Sequence, residues 1–363
     1  MKELIRRRSP SEKSGGLRRN SLGNFPLGKF IVRRIAIGLI LMLGITFISF
    51  SVTQLVPGDP AALNLGQSAM SDPTIVAAWR AKYGLDKPVP EQYIIYLNHL
   101  VHGDLGLSQQ SRRPVSTDLA EYFPATLELA TVAIFFSLIF GLLFGIIAAV
   151  TRNRWPDQVI RFITLTGVSV PTFWLSLVFF YIFYFKLSWF PSNGRLDPGV
   201  DAPATISGMY TVDALLHGQF TLAWQALRHI MLPAIVLAIY TIAVLTRFTR
   251  AAILEILNND YVRAARAKGV PESLVIRRHV LRPALLSIVT VAGVAFGNLL
   301  AGSVLVENVF SWPGIGQYAY RSSIGLDLPG IMGVSIVVAG IFITMNLLVD
   351  IAYHFIDPSL RHG

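Results

Sequence analysis

The chain contains no cysteine. Disulfides, thiolate nucleophiles and cysteine-held metals are therefore excluded. Charge is also scarce: 14% of the 363 residues are charged and 53% are hydrophobic, with a mean hydropathy of +0.54. Ordinary soluble domains carry about 25% charged residues. Nucleotide-binding and hydrolytic signatures are missing as well. Gly23-Asn24-Phe25-Pro26-Leu27-Gly28-Lys29-Phe30 imitates a phosphate loop. Phe30 stands where the magnesium-binding hydroxyl belongs, and no strand precedes the segment. Neither HExxH nor GxSxG occurs, so metalloprotease and elbow-serine chemistry have no support. His99 and His102 share a polar stretch at a spacing that reads as solvated surface, and the other histidines are scattered. No catalytic residue, metal or cofactor is expected in this chain.

What the chain does have is long apolar runs, each close to the ~20 residues that cross a bilayer. Six are readable, at 31–56, 126–150, 162–186, 231–250, 284–306 and 331–356. Lipid leaves unpaired backbone groups without partners, so all six are expected to be helices. A β-barrel needs ~10-residue alternating segments, which these runs lack. The fold class is therefore an all-α integral membrane protein with six transmembrane helices. A basic tail over 1–30 and a short tail over 357–363 flank it, and residues 126–356 form the core after a first helix over 31–56. The start of the chain lacks the cleavable pattern of a signal peptide.

Lysine and arginine set the orientation. With the N-terminus inside, residues 1–34, 151–161, 247–283 and the C-terminal tail carry 22 basic residues, whereas the opposite loops carry 8. The bias puts both termini in the cytosol and assigns the net charge of +10 to topology, not to nucleic acid. The outer loop, 57–125, is too long for a connector. Asp72-Pro73 opens a helix ending near Gly84, and Pro90 opens another ending near Gly103. In the second, Tyr93, Tyr96, Leu97 and Leu100 recur at helical spacing, which suits a small cap on the membrane domain.

Within the spans, Gly141/Gly145 and Gly293/Gly297 place small residues one turn apart, as helix packing seams do. Glu128 lies near the outer end of the second span. Asn346 and Asp350 lie near the inner end of the last, at the depth of Arg247 and Arg250. An ion-pair clamp between Arg247 and Asp350 is expected. A proton-driven carrier would place ionisable groups near the midplane, and none is seen there.

One short segment, Asp260 to Gly269, is helical without being apolar. Asp260 can cap its start, Gly269 can end it in the left-handed conformation, and Pro271 blocks continuation. Tyr261, Ala264, Ala265 and Lys268 fall on one face, where paired alanines let the backbone sit closely in a groove. The segment is expected to bury nothing of its own chain and to serve as a cytosolic peg for a soluble partner.

Arg263-Ala264-Ala265, followed after three residues by Gly269, resembles the EAA motif of ABC-transporter permease subunits. Arg263 replaces the usual glutamate, and the downstream proline falls one place late, at Pro283. With His279-Val-Leu-Arg-Pro-Ala-Leu285 the segment is similar to the dipeptide/oligopeptide/nickel branch. Leu55-Val-Pro-Gly-Asp-Pro60, His102-Gly-Asp-Leu-Gly106 and Pro124-Ala-Thr-Leu-Glu-Leu129 extend the likeness. So do Val168-Ser-Val-Pro-Thr-Phe-Trp174, Val309-Phe-Ser-Trp-Pro-Gly-Ile-Gly316 and Asn346-Leu-Leu-Val-Asp350. The chain departs from the branch at Leu326-Asp327-Leu328, where Arg-Asp-Tyr is common, and in its longer N-terminal tail.

The resemblance implies the type I importer permease fold, in the cytoplasmic membrane, moving short peptides or a related solute. It also implies a second permease subunit and two cytosolic ATPases that bind the ATP and Mg, with an extracytoplasmic binding protein delivering the solute. The peg, with Asp260, Tyr261, Ala264, Ala265, Lys268 and Gly269, would enter a cleft of the ATPase, and the 151–161 loop would add a smaller contact. The competing reading from the residues alone is a stand-alone secondary carrier or channel.

Overall fold

A computed structural model describes residues 27–55, 65 and 72–356. Most of the basic tail, the end of the Leu55–Pro60 stretch and the tail over 357–363 lie outside the described residues. Every regular element among the described residues is a helix, and one isolated bridge joins Leu107 to Pro114. Along the chain these are α1 (Leu27–Leu55), α2 (Pro73–Tyr83), α3 (Val89–Val101), α4 (Val115–Val150), α5 (Trp155–Ser169) and α6 (Thr172–Lys186). Next come α7 (Tyr210–Leu216), α8 (Phe220–Leu257) and α9 (Asp260–Ala267). A turn at Glu272–Leu274 and a π-helical stretch, Val275–Leu281, then run into α10 (Arg282–Gly302). The chain closes with α11 (Val304–Val309), α12 (Ile315–Ile324) and α13 (Leu328–Ile356).

Four helices, α1, α4, α8 and α13, are each long and apolar enough to cross a membrane, and two bent pairs bring the count to six. The first pair departs from the uninterrupted helix read over 162–186. Its first arm starts back at Trp155, and α5 meets α6 at 101°. The cause is Pro171, which lacks an N–H and pushes the residue before it out of the helical region. Val170 accordingly sits at φ −84, ψ 125.

The centre of the bundle is α4 against α8. At 36 and 38 residues they run about 55 Å, well beyond a ~30 Å hydrocarbon core, so both project past the membrane. A Cβ on Gly141 would lie 2.7 Å from Leu245 Cβ, and one on Gly145 would lie 2.5 Å from Thr249 Cβ. Only glycine lets these backbones approach so closely. Leu129, Ala133, Ile230, Val236, Leu300 and Trp312 fill the adjoining core. Two thirds of the α8 span is buried (67%) but only 17% of α1 and of α13, so the last two form the lipid-facing rim. Gly293 and Gly297 of α10 meet Val349 and Phe342 of α13, and Gly38 of α1 meets Ile343.

The segment between α1 and α4 folds back on α1 as a helical cap. Asp72 caps α2 by accepting from the Thr74 amide at 2.8 Å, and Gly84 ends it at φ +65. Tyr93 of α3 rests edge-on against Phe47, and Tyr96 stacks on Phe50, with centroids 5.6 and 5.9 Å apart. Such aromatic pairs add ~0.5–1.5 kcal/mol each beyond burial.

Candidate functional site at the basic end of the bundle

α8 emerges from the bundle at the end that carries residues 151–154, and Asn258-Asn259 turn the chain into α9. Asn259, not Asp260, occupies the cap position, and its side chain makes no capping bond. Asp260 is the first helical residue and pairs instead with Arg263, one turn on. At the other end the helix closes as its residues predict. Gly269 sits at φ +76, with its amide donating to Arg266 O at 2.9 Å and the Val270 amide donating to Ala265 O at 3.3 Å. A Cβ added to Gly269 would meet no atom within 4 Å, so backbone angle rather than space calls for glycine.

Contrary to the expectation that the segment buries nothing, α9 has a foot in the protein. Val262 is fully buried and Ala265 is 9% exposed. They pack with Ile253 of α8, Ala149 of α4, Val275 and Val280 of the π-helical stretch, and Ala284 and Ile288 of α10. Burying Val262 alone is worth ~1.5–3 kcal/mol. The Tyr261 hydroxyl adds a bond to His279 O at 3.2 Å. Across the Gly269 turn, Arg266 holds Glu272 with two bonds, at 3.0 and 2.6 Å. The bond from Arg266 holds the Glu272 carboxyl below its usual range.

Of the residues singled out on the peg, Tyr261, Ala264, Lys268 and Gly269 are exposed, as is Asp260, whereas Ala265 faces inward. The outward stripe is therefore Tyr261, Ala264 and Lys268, and Ala265 belongs to the foot. The result is a short helix with small and basic residues outward, fixed at its base to α8 and the π-helical stretch.

The Arg247–Asp350 clamp does not form. Asp350 pairs with Arg34 at 2.9 Å, joining the basic ends of α13 and α1. Arg247 lies over the neighbouring Phe248 ring, 5.8 Å from its centre. Arg250, one turn on, forms the buried pair of this region. It donates to both oxygens of Asp157 at 2.8 Å, and the Asn153 amide donates a third bond at 2.9 Å. Asp157 has no exposed surface. The pair ties the 151–154 turn, where Asn153 sits at φ +62, to α8 beside the peg. Sequence carried a signal for it in Trp155-Pro156-Asp157, proline and acid in a first helical turn.

Two buried carboxylates organise the opposite end. Glu128 and Arg195 pair at 2.6 Å, with the guanidinium carbon 3.5 Å from the centre of the Tyr210 ring. Glu307 accepts from Ser303 (2.7 Å), Thr126 (2.8 Å) and the Gln317 amide (3.0 Å). A Cβ on Gly314 would overlap this carboxylate, so the Trp-Pro-Gly-Ile-Gly segment is shaped around it. His99 bonds Lys82 O and faces Asp104, and His102 bonds Asn98 O.

Residues 141–362 match the family described as "Binding-protein-dependent transport system inner membrane component". Residues 27–130 match its N-terminal companion. The chain is 43% identical to the "Probable D,D-dipeptide transport system permease protein DdpB" of Escherichia coli K12, across 92% of this chain and 98% of that one. It is 39% identical to the dipeptide permease DppB of Alkalihalophilus pseudofirmus, over 92% and 99%. It is 41% identical to the di/tripeptide permease DppB of Pseudomonas aeruginosa, over 92% and 98%. Among solved structures, the inward-facing MetNI methionine ABC transporter aligns at TM-score 0.42 and 20% identity, over 64% of this chain and 88% of that one. With close to its whole described length matched, this multi-pass membrane chain belongs to the family of binding-protein-dependent transport system inner membrane components.

Proposed function

We propose that the chain is the permease subunit of an ATP-driven ABC importer of short peptides, seated in the cytoplasmic membrane with both termini in the cytosol. Relatives named for dipeptide and di/tripeptide transport, at 39–43% identity, support the cargo. The 22-to-8 distribution of basic residues between the two sides supports the orientation.

The observation that carries the reading is α9 with its foot. A force on its outward face is resisted at its base, because Val262 and Ala265 are buried against the π-helical stretch and α8 in a cluster that extends to α4 and α10. A pair of cytosolic ATPases closing on ATP and Mg would push this face. The rigid helices would carry the motion across the membrane and exchange inward for outward access in a path shared with a second permease subunit. The 151–154 turn, held by Asp157 and Arg250, would add a second contact. A separate extracytoplasmic binding protein would deliver the peptide. In this reading ATP hydrolysis belongs to the partner subunits and not to this chain.

The test is Ala264→Trp in the reconstituted complex. Ala264 is exposed, so the variant inserts and folds while its indole blocks the socket. Dipeptide uptake and its coupling to ATP hydrolysis should be lost. Wild-type uptake by the variant would overturn the reading. Uptake by this chain alone, driven by a proton or sodium gradient, would support a secondary carrier instead.

A further inference from the structure

The loop over 187–209, between α6 and α7, crosses the start of α8 at the end of the bundle opposite α9. There it meets His229, in the third turn of α8, whose side chain has no exposed surface. Both ring nitrogens point at acceptors. Nδ1 lies 3.1 Å from Gly194 O, and Nε2 lies 3.1 Å from a carboxylate oxygen of Asp197. A neutral imidazole has one N–H and one lone pair. It can serve only one of these oxygens, and its other nitrogen would face the second lone pair to lone pair. Only the imidazolium donates to both. Burying a charge is costly unless it is paired and hydrogen-bonded, and this ring is both.

A proton on Asp197 instead of the ring does not fit. The Asp197 side chain is half exposed and also accepts from Gln225. The Gln225 bond, with His229 beside it, holds the Asp197 carboxyl below its usual range. Arg228, exposed on α8, acts on the same carboxylate in the same direction. Charged groups on the elements packed around His229 are engaged elsewhere. Arg195 and Glu128 hold each other. Asp213 of α7 accepts from Ser207 and from the Ile206 and Gly208 amides. Glu307 of α11 accepts from Ser303, Thr126 and the Gln317 amide.

The contact sits at a junction. Gly194, at φ +91, accepts from His229 through its carbonyl while its amide donates to Phe310 O at 3.1 Å. The next residue, Arg195, reaches Glu128 of α4 and Gly208 O. The ring therefore fastens α8 to the loop and, through Gly194, to the end of α11. We infer that His229 is a pH-responsive pin, which as an imidazolium ties α8 to Gly194 and Asp197 with two charge-assisted bonds and on losing its proton releases one of them. Attachment is complete on the acid side and weakens as pH rises through the value at which the ring gives up its proton. The pin does not depend on the proposed function; only the identity of the compartment it senses, the external one, rests on the orientation proposed above.

The test uses the full chain in nanodiscs, isotope-labelled at its histidine nitrogens, with magnetic resonance recorded across pH. An imidazolium carries a proton on both nitrogens and a neutral ring on one. His229→Gln identifies the His229 signal by its disappearance. Both His229 nitrogens should be protonated in acid, giving way to a single tautomer as pH rises. Asp197→Asn, at an exposed position, keeps an acceptor but removes the negative charge. It should move that transition to lower pH by about one unit or more, and it should move one of the seven histidines and not the rest. This result stands without His229→Gln if that variant does not fold. Hydrogen exchange at the Gly194 amide should be about tenfold faster in His229→Gln than in the parent in acid, with the ratio falling toward one as the parent ring becomes neutral. A His229 ring that is neutral, or doubly protonated, at every pH at which the protein stays folded would overturn the inference. So would a transition that Asp197→Asn leaves in place.

Discussion

The Asp157–Arg250 pair gives a prediction whose size can be worked from geometry. Asp157 has no exposed surface and accepts three bonds, two of them from the guanidinium at 2.8 Å. Arg250→Met strands that carboxylate with a single amide donor, and breaking a buried pair from one side costs about 3–5 kcal/mol. The Arg250 side chain is 22% exposed, so water can reach the gap, and the lower end, ~3 kcal/mol, applies. Asp157→Asn keeps an acceptor for the Asn153 amide and leaves a cation that can turn toward water, for a loss of about 1–2 kcal/mol. The double variant strands neither charge and should lose no more than ~2 kcal/mol, a coupling of about 2 kcal/mol between the sites. Equilibrium unfolding in mixed detergent micelles, followed by circular dichroism, measures all three. Losses that add to within ~0.5 kcal/mol would show that the pair is not the lock described.

The exposed Arg266–Glu272 pair should behave differently. Glu272→Gln should cost under ~1 kcal/mol of stability yet speed hydrogen exchange at the Val270 amide. Because the Glu272 carboxyl is depressed by Arg266 from an ordinary 4.5, its contribution is present above that unfolded value and lost as pH falls through the lower folded value. The exchange difference between parent and variant should therefore vanish in acid. Gly145→Ala drives a methyl into Thr249 and should destabilise by about 1–3 kcal/mol. Gly44→Ala, with open space around it, should be neutral or slightly stabilising in the same melts. Glu307→Gln keeps one acceptor oxygen for the Gln317 amide but turns an NH2 toward the Ser303 and Thr126 hydroxyls, so it should lose about 1–2 kcal/mol, whereas Glu307→Ala leaves several buried donors unmet and should lose ~3 kcal/mol or more, read as a drop in folded yield.

Much of the architecture is legible in the sequence because lipid allows so few solutions. Long apolar runs have to be helices, and glycine pairs mark where two of them touch. The end of the peg can be read from Gly269 and Pro271, but its start, read from Asp260, falls one residue late, because Asn259 holds the cap position. Which stripe of it faces outward cannot be read. Val262 and Ala265 are spaced as regularly as Tyr261, Ala264 and Lys268, and the choice is made by Val275 and Val280, on a π-helical stretch with no clear pattern of its own. Ion pairing escapes the sequence for a related reason. Depth along the helices puts Arg247, Arg250 and Asp350 at one level, but rotation decides partners, and Asp350 finds Arg34 from 316 residues away. The bend after Val170 is signalled by the proline that follows, although the run around it is apolar throughout.

The central claim is that the outward stripe of α9 sits in an ATPase socket. The absence of native cysteine permits a direct measurement: single cysteines at Tyr261, Ala264 or Lys268, and at Leu216 on the opposite side as a control, cross-linked in membranes containing the assembled complex. Adducts with the ATPase subunit are expected from the three α9 positions and none from Leu216, with a change in yield when ATP is added. No adduct from any α9 position, in a complex that still imports peptide, would contradict the claim.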